Sequence, residues 1–186
     1  MQDFIDFIKK YIYLSKEAEL VIKALIVEKE YTKGDLLVEE GKVCKELYFL
    51  SKGTVRTYLY QKGKDITNWI YPENSIFTSW HSYVLRKPSS EYIEVISNAK
   101  IIAISYDEWQ ELYQKFPELE RFGRLIMEEQ IALIDDFYKG YYFLTAKEKY
   151  DLLIKAFPNI TQIANLGHIA SMLGISQETL SRIRGK

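Results

Sequence analysis

The residues best placed to do chemistry lie near the end of the chain, in LGHIASMLGISQETLSRIRGK. Two short amphipathic helices are expected there. The first, about Leu166–Leu173, turns Ile169, Ala170 and Leu173 inward, and Gly174 ends it in the left-handed conformation favoured just past a helix. Ser176 then caps a second helix whose Leu180 and Ile183 face the core. A small residue at 170, a glycine four positions on, and branched apolar residues at 180 and 183 give the spacing of a helix-turn-helix. The exposed face of the second helix then carries Gln177, Glu178, Ser181 and Arg182. These types hydrogen-bond base edges: Arg to guanine, Gln to adenine, Glu to the cytosine amino group. With Ser176 at the helix start and Arg184 and Lys186 suited to phosphate contacts, they form a candidate DNA-binding set.

Charge distribution points the same way. The 186 residues sum to a formal charge of −1, yet from Thr145 to Lys186 six basic residues stand against three acidic ones. Positive charge therefore gathers at the C-terminal end, where an anionic partner would be steered. Other chemistries lack their residues. A single cysteine, Cys44, excludes an internal disulfide, a cysteine-ligated zinc and an iron–sulfur cluster, and it reads as an inert, half-buried thiol. Two histidines, His81 and His168, are too few for an imidazole metal site, and no haem is expected although His81 could serve as an axial ligand. No P-loop, GxSxG or H-x-H motif is present, so no enzyme is expected. The N-terminal stretch is interrupted by Asp3, Asp6, Lys9 and Lys10, which argues against a secretory signal, and no apolar run approaches a membrane span. A cytoplasmic location, with no membrane partner, is the expectation.

Three textures position these residues. Residues 3–29 have helical spacing, with Ser15 a plausible N-cap. Residues 31–105 give short strands at Asp35–Val38, Glu46–Ser51, Thr54–Gln61, Asp65–Ile70, Tyr92–Ile96 and Lys100–Ser105, divided by glycine turns, as in a sandwich or barrel. From Ser105 the chain is helical, with capping-box patterns at Ser105/Glu108 and Thr145/Glu148. Between them Pro117 opens a long helix to about Tyr138. Its stripe of Leu119, Phe122, Ile126, Leu133 and Phe137 is long for packing within one small domain and is expected to pair two copies; an intramolecular core helix is the alternative.

On these residues the chain resembles the cyclic-AMP receptor protein/Fnr (Crp/Fnr) family of bacterial transcription regulators. The glycine-punctuated segment YTKGDLLVEEGKVCKELYFLSKGTVRTYLYQKGKDITNWIYPENSIF is similar to that family's cyclic-nucleotide-binding jelly roll, and ISQETLSRIR is similar to its recognition helix. The resemblance implies an α+β fold: an N-terminal cyclic-nucleotide-binding-like β jelly roll in a sensor domain at 1–115, a long dimerisation helix at 116–140, and a C-terminal helix-turn-helix domain at 141–186. It further implies a homodimer on inverted-repeat DNA, contact with RNA polymerase, and a possible small-molecule effector. Gln177, Glu178 and Arg182 become the base readers, with Gln177 departing from the family's usual Arg. The β-hairpin wing that usually follows the recognition helix is not expected after Lys186. An effector-binding or scaffold module acting through protein partners, without DNA, is the competing expectation.

The effector pocket departs further. Cyclic-AMP binders of the family carry Gly-Glu after a strand and Arg-Ser or Arg-Thr before the next, the Arg neutralising the cyclic phosphate. Here Thr78, Ser79 and Trp80 follow Phe77, and Ser89-Ser90 stands where Arg-Ser is expected. Cyclic AMP is therefore not the expected ligand. Trp80, His81, Arg86, Ser89 and Ser90 are the candidate wall for another effector.

Overall fold

The computed structural model describes residues 1–185; Lys186, expected to contact phosphate, lies outside the described residues. Helix α1 (Gln2–Lys9) and helix α2 (Lys16–Leu25) come first. Ser15 caps α2, its hydroxyl accepting from the Ala18 N–H at 3.2 Å. Strand β1 (Val27–Tyr31) follows directly, in a stretch whose apolar spacing had suggested helix. Then come β2 (Leu36–Val38), β3 (Glu46–Gln61), β4 (Lys64–Tyr71), β5 (Ser75–Phe77), the short helix α3 (Trp80–Leu85) and β6 (Tyr92–Ser105).

Two long strands, β3 and β6, pair antiparallel from Glu46 with Ser105 to Tyr58 with Tyr92 and form the spine. One half of this spine carries β1 on β6 and β5 on β3; the other half carries β2 on β6 and β4 on β3. All pairings are antiparallel, and the result is a jelly-roll-like fold. The expected turn at Lys52-Gly53-Thr54 is instead a set of register shifts within one strand. Gly53 has φ +98°, and a Cβ there would lie 2.5 Å from the Asn98 carbonyl oxygen, so glycine is required by the bulge, not by a hairpin. The segment 97–99 likewise joins the two strands expected at 92–105. Between β3 and β4 the turn reading holds. Lys62 and Gly63 both have positive φ and Gln61 pairs with Lys64, which is a two-residue hairpin of the primed type.

The inward faces of the roll bury Tyr48, Leu50, Val55, Tyr71, Phe77 and Ile93. On one outer face, Leu47, Phe49, Ile102 and Ile104 pack against α1, α2 and the next two helices. These are α4 (Tyr106–Lys115), held by the Ser105/Glu108 capping box, and α5 (Pro117–Phe143), opened by Pro117. Helix α6 (Ala146–Ala156) carries the second capping box, Thr145/Glu148. The chain ends in α7 (Ile160–Ile163), α8 (Leu166–Met172) and α9 (Gln177–Arg184). Among the described residues no helix is long and apolar enough to cross a membrane.

Candidate nucleic-acid interface and effector cavity

Helices α8 and α9 form the expected helix-turn-helix. Asn165 caps α8 by accepting from the His168 N–H at 2.8 Å, and Ser176 caps α9 by accepting from the Thr179 N–H at 3.1 Å. Between them the Gly174 N–H donates to the Ser171 carbonyl and the Ile175 N–H to the Ala170 carbonyl, each at 3.0 Å. That pair of bonds is a Schellman motif, with Gly174 at φ +65°. The backbone conformation is what calls for glycine; a Cβ at 174 would also approach the Tyr141 hydroxyl to 2.6 Å, which the exposed tyrosine ring could relieve by moving. Ile169, Ala170, Leu173 and Leu180 are buried, and Ile183 is half-buried.

Every apolar anchor of α9 is thus turned inward, while Gln177, Glu178, Ser181, Arg182 and Arg184 are all exposed. Gln177, Glu178, Ser181 and Arg182 together line one open, shallow surface. Glu178 sits in the first turn, where the backbone amides at the helix start and Ser176 hold its carboxyl below the usual range. The Ser176 hydroxyl, also exposed, accepts the cap bond and donates to Thr179 Oγ1 at 3.1 Å, so it builds the helix start.

This unit is docked on the roll. The Thr67 N–H donates to Ser171 Oγ at 2.9 Å, and Ile70 and Ile96 join the apolar cluster of Ile169, Met172 and Leu180. His168 lies near a charge cluster in which the buried Arg56 pairs with the exposed Asp65 at 2.7 Å and the half-buried Glu94 at 2.6 Å. Burial and the Arg56 cation lower the His168 pKa, while Asp65 and Glu94 oppose them. Its Nδ1 is buried with no partner among the described residues.

Helix α5 divides the expected stripe. Leu119, Phe122 and Ile126 are buried inside the same chain against α1 and α4, so pairing of two copies cannot use them. Leu133 and Phe137 are half-buried and face Trp69 of β4, whose ring meets Phe137 edge-on at 5.0 Å. Left outward are Ile131 (66% exposed), Ile134, Tyr138 and Tyr142, at spacings of three and four residues. The expected stripe thus falls on inward positions, whereas Ile131 and Ile134, which widen it in the sequence, begin an outward stripe on the same helix.

The candidate effector wall is not assembled as expected. Trp80 does face a cavity of about 380 Å³ lying between β4, α5 and α8. His81 and Ser90 are exposed and line no part of it. Arg86 adopts φ +54°, stacks over Tyr106 at 4.6 Å and donates to the Cys44 carbonyl at 3.3 Å, so it is turned away from the cavity. Ser89 is buried, its hydroxyl 2.9 Å from Ser79 Oγ. Cys44 is fully buried rather than half-buried, with Sγ 3.2 Å from Thr78 Oγ1.

Residues 28–116 match the family described as the cyclic nucleotide-binding domain. No curated protein sequence matches the chain. Among solved structures, FixK2 of Bradyrhizobium japonicum is similar at TM-score 0.71 and 16% identity, over 87% of this chain and 83% of that one. A protein from Eubacterium rectale assigned to the Crp/Fnr family is similar at 0.70 and 15%, over 91% and 82%. The c-di-GMP-responsive global regulator CLP of Xanthomonas campestris is similar at 0.67 and 14%, over 92% and 90%.

The chain has the fold of the Crp/Fnr regulators.

Set in a Crp/Fnr roll, two features missed by sequence reasoning stand out. Tyr71 packs tilted against Phe77 at 5.2 Å and Phe77 stacks on Tyr48 at 5.3 Å, so aromatic side chains fill the roll interior. Glu91, two residues past Ser89, is a largely buried carboxyl faced by Ser79, Asn68 and His81. Burial raises its pKa. An acid at this point of a Crp/Fnr roll opposes an anionic phosphate, in line with the missing cassette. The acid-next-to-serines pattern SSEY was visible in the sequence, but its burial was not.

Proposed function

We propose that this chain is a homodimeric, sequence-specific DNA-binding transcription regulator of the Crp/Fnr type, modulated by a small effector other than cyclic AMP. The observation that carries the reading is α9: Leu180 is buried, Ile183 is half-buried on the same side, and Gln177, Glu178, Ser181, Arg182 and Arg184 are exposed, which is the arrangement of a helix that enters a major groove. Gln177, Glu178, Ser181 and Arg182 read base edges, Arg184 contacts phosphate, and Ser176 orders the helix start. The outward stripe of α5, Ile131, Ile134, Tyr138 and Tyr142, covers the same stripe of a second copy about a two-fold axis. Two recognition helices then reach half-sites about one helical turn apart on an inverted repeat. RNA polymerase is the partner through which a bound regulator of this type acts, in the cytoplasm.

Selection of duplexes from a random pool by the purified chain, followed by sequencing, tests this. Recovery of an inverted repeat with half-sites about 10 base pairs apart, centre to centre, is expected. Failure to enrich any sequence at low salt, with or without metabolites, would overturn it in favour of a module acting through protein partners.

A further inference from the structure

The cavity between β4, α5 and α8 has a lining of one chemical kind. Among the described residues no charged side chain lines it. Trp69, Tyr71 and Trp80 come from the roll side; Phe137, Tyr138 and Tyr142 come from α5. Hydrogen-bonding capacity is confined to neutral groups, chiefly the amides of Asn68 and Gln130 with the hydroxyls of Thr67 and Ser171. Of the nearby cations, Lys149 lies over the Tyr141 ring at 4.4 Å, and two arginines are committed elsewhere. Arg56 is held by Asp65, Glu94 and Thr67, and Arg86 lies on Tyr106. Behind the wall Glu91 faces Asn68, and a carboxyl there has the wrong sign for a phosphate or carboxylate guest.

At about 380 Å³ the space falls in the range of small-molecule sites and admits a fused two- or three-ring molecule. Flat aromatic walls favour a planar guest by stacking, and primary amides on opposite walls match a guest with both donor and acceptor edges. A buried anion with no cation to meet it would be strongly disfavoured.

We infer that this cavity takes a neutral, planar aromatic heterocycle with amide-like hydrogen-bonding edges. The inference rests on the chain being an effector-modulated regulator and names the class of that effector. The guest touches three elements at once: β4 of the roll, α5, and Ser171 and Met172 of α8. Ile134, Tyr138 and Tyr142 belong both to the cavity wall and to the outward stripe, so the second copy would roof the guest. Occupancy therefore tightens the docking of α8 on β4 and the pairing of the two chains together.

Calorimetric titration of the full chain with two probes of nearly identical shape tests the inference: indole-3-acetamide, which is neutral, and indole-3-acetate, which is an anion. The amide should bind saturably with Kd below about 1 mM and at least about tenfold tighter than the acetate, and cyclic AMP should give no saturable signal. Leu133→Trp, which fills the cavity, should abolish amide binding. Gln130→Lys, which places a cation in the wall, should turn the preference toward the acetate; this second variant also covers the case in which Leu133→Trp does not fold. Equal or tighter binding of the acetate or cyclic AMP to the unaltered chain overturns the inference. So does absence of saturable amide binding, an amide affinity unaffected by folded Leu133→Trp, or an unshifted preference in Gln130→Lys. Duplex selection separates the two levels. An inverted repeat recovered from a chain that fails the probe test removes only the effector class, whereas probe binding without any selected DNA removes the regulator reading and leaves the cavity a ligand site.

Discussion

The two halves of α5 have the same kind of apolar periodicity and opposite fates. In the first half, Leu119, Phe122 and Ile126 are sealed against α1 and α4 of their own chain. In the second, Ile131, Ile134, Tyr138 and Tyr142 face outward. The first half has neighbours because α1, α2 and α4 pack on the same outer face of the roll. The second half runs past the roll and meets β4, α6 and the helix-turn-helix on one side. Periodicity specifies that a helix has an apolar face; the surrounding elements decide whether that face stabilises a fold or an association.

Substitutions on the two halves should therefore separate folding from association. Phe122→Ala, at a position 1% exposed, should cost the folded chain about 3–5 kcal/mol in chemical denaturation and leave the pairing of folded chains unchanged. A loss below about 1 kcal/mol would mean the first half is not core, and the contrast would fail. Ile131→Asp should do the reverse. It should raise the dimer Kd about a hundredfold by sedimentation equilibrium, with no loss of helical signal or of the monomer's melting cooperativity.

Two smaller effects extend the contrast to the helix-turn-helix. Arg182→Ala, on the outward face of α9, should weaken binding by about 1–3 kcal/mol at one base position, relax selectivity there and leave stability unchanged. An equal loss on every sequence would reassign Arg182 to a phosphate. Inward, His168 carries the pH dependence. Its pKa in the fold lies below the ordinary 6.5, so the unfolded chain holds the proton more tightly. The stability it contributes is fully present above 6.5 and is lost as pH falls through the window beneath it. Denaturation midpoints should drop on acidification, and His168→Asn should flatten that part of the profile; an unaltered slope would show that the ring is hydrated in solution.

Local chemistry was legible from the residues. Ser105 with Glu108, Thr145 with Glu148, Ser15 and Pro117 each mark a helix start by satisfying, or not needing, a backbone N–H, and each stands where its type predicts. The turn at Gly174 was legible because the left-handed conformation and the apolar spacing around it coincide. Gly53 was not, because a glycine in a strand-like run signals a bulge as well as a turn, and only the pairing of β3 with β6 decides between them. Strand β1 was missed because Val27–Tyr31 alternates weakly and follows a helix without a breaker. The effector wall was misjudged for a related reason. Nearness in sequence put Arg86 beside Trp80, but the left-handed backbone at Arg86 turns its side chain to Tyr106. The cavity wall is made by residues up to about a hundred positions apart, brought together by β4, α5 and α8.

If the outward stripe of α5 pairs two chains as proposed, occupancy of a two-part operator becomes a question of dosage. Burial of Ile131, Ile134, Tyr138 and Tyr142 requires a second chain, so it is set by mass action and not by folding. Well below the dimer Kd, the population of paired chains rises with the square of total chain, and the two half-sites are engaged together only by that population. A twofold change in synthesis then becomes nearly a fourfold change in bound operator. A threshold in gene output would then follow from four side chains of α5 that lie outside the proposed base-reading face of α9.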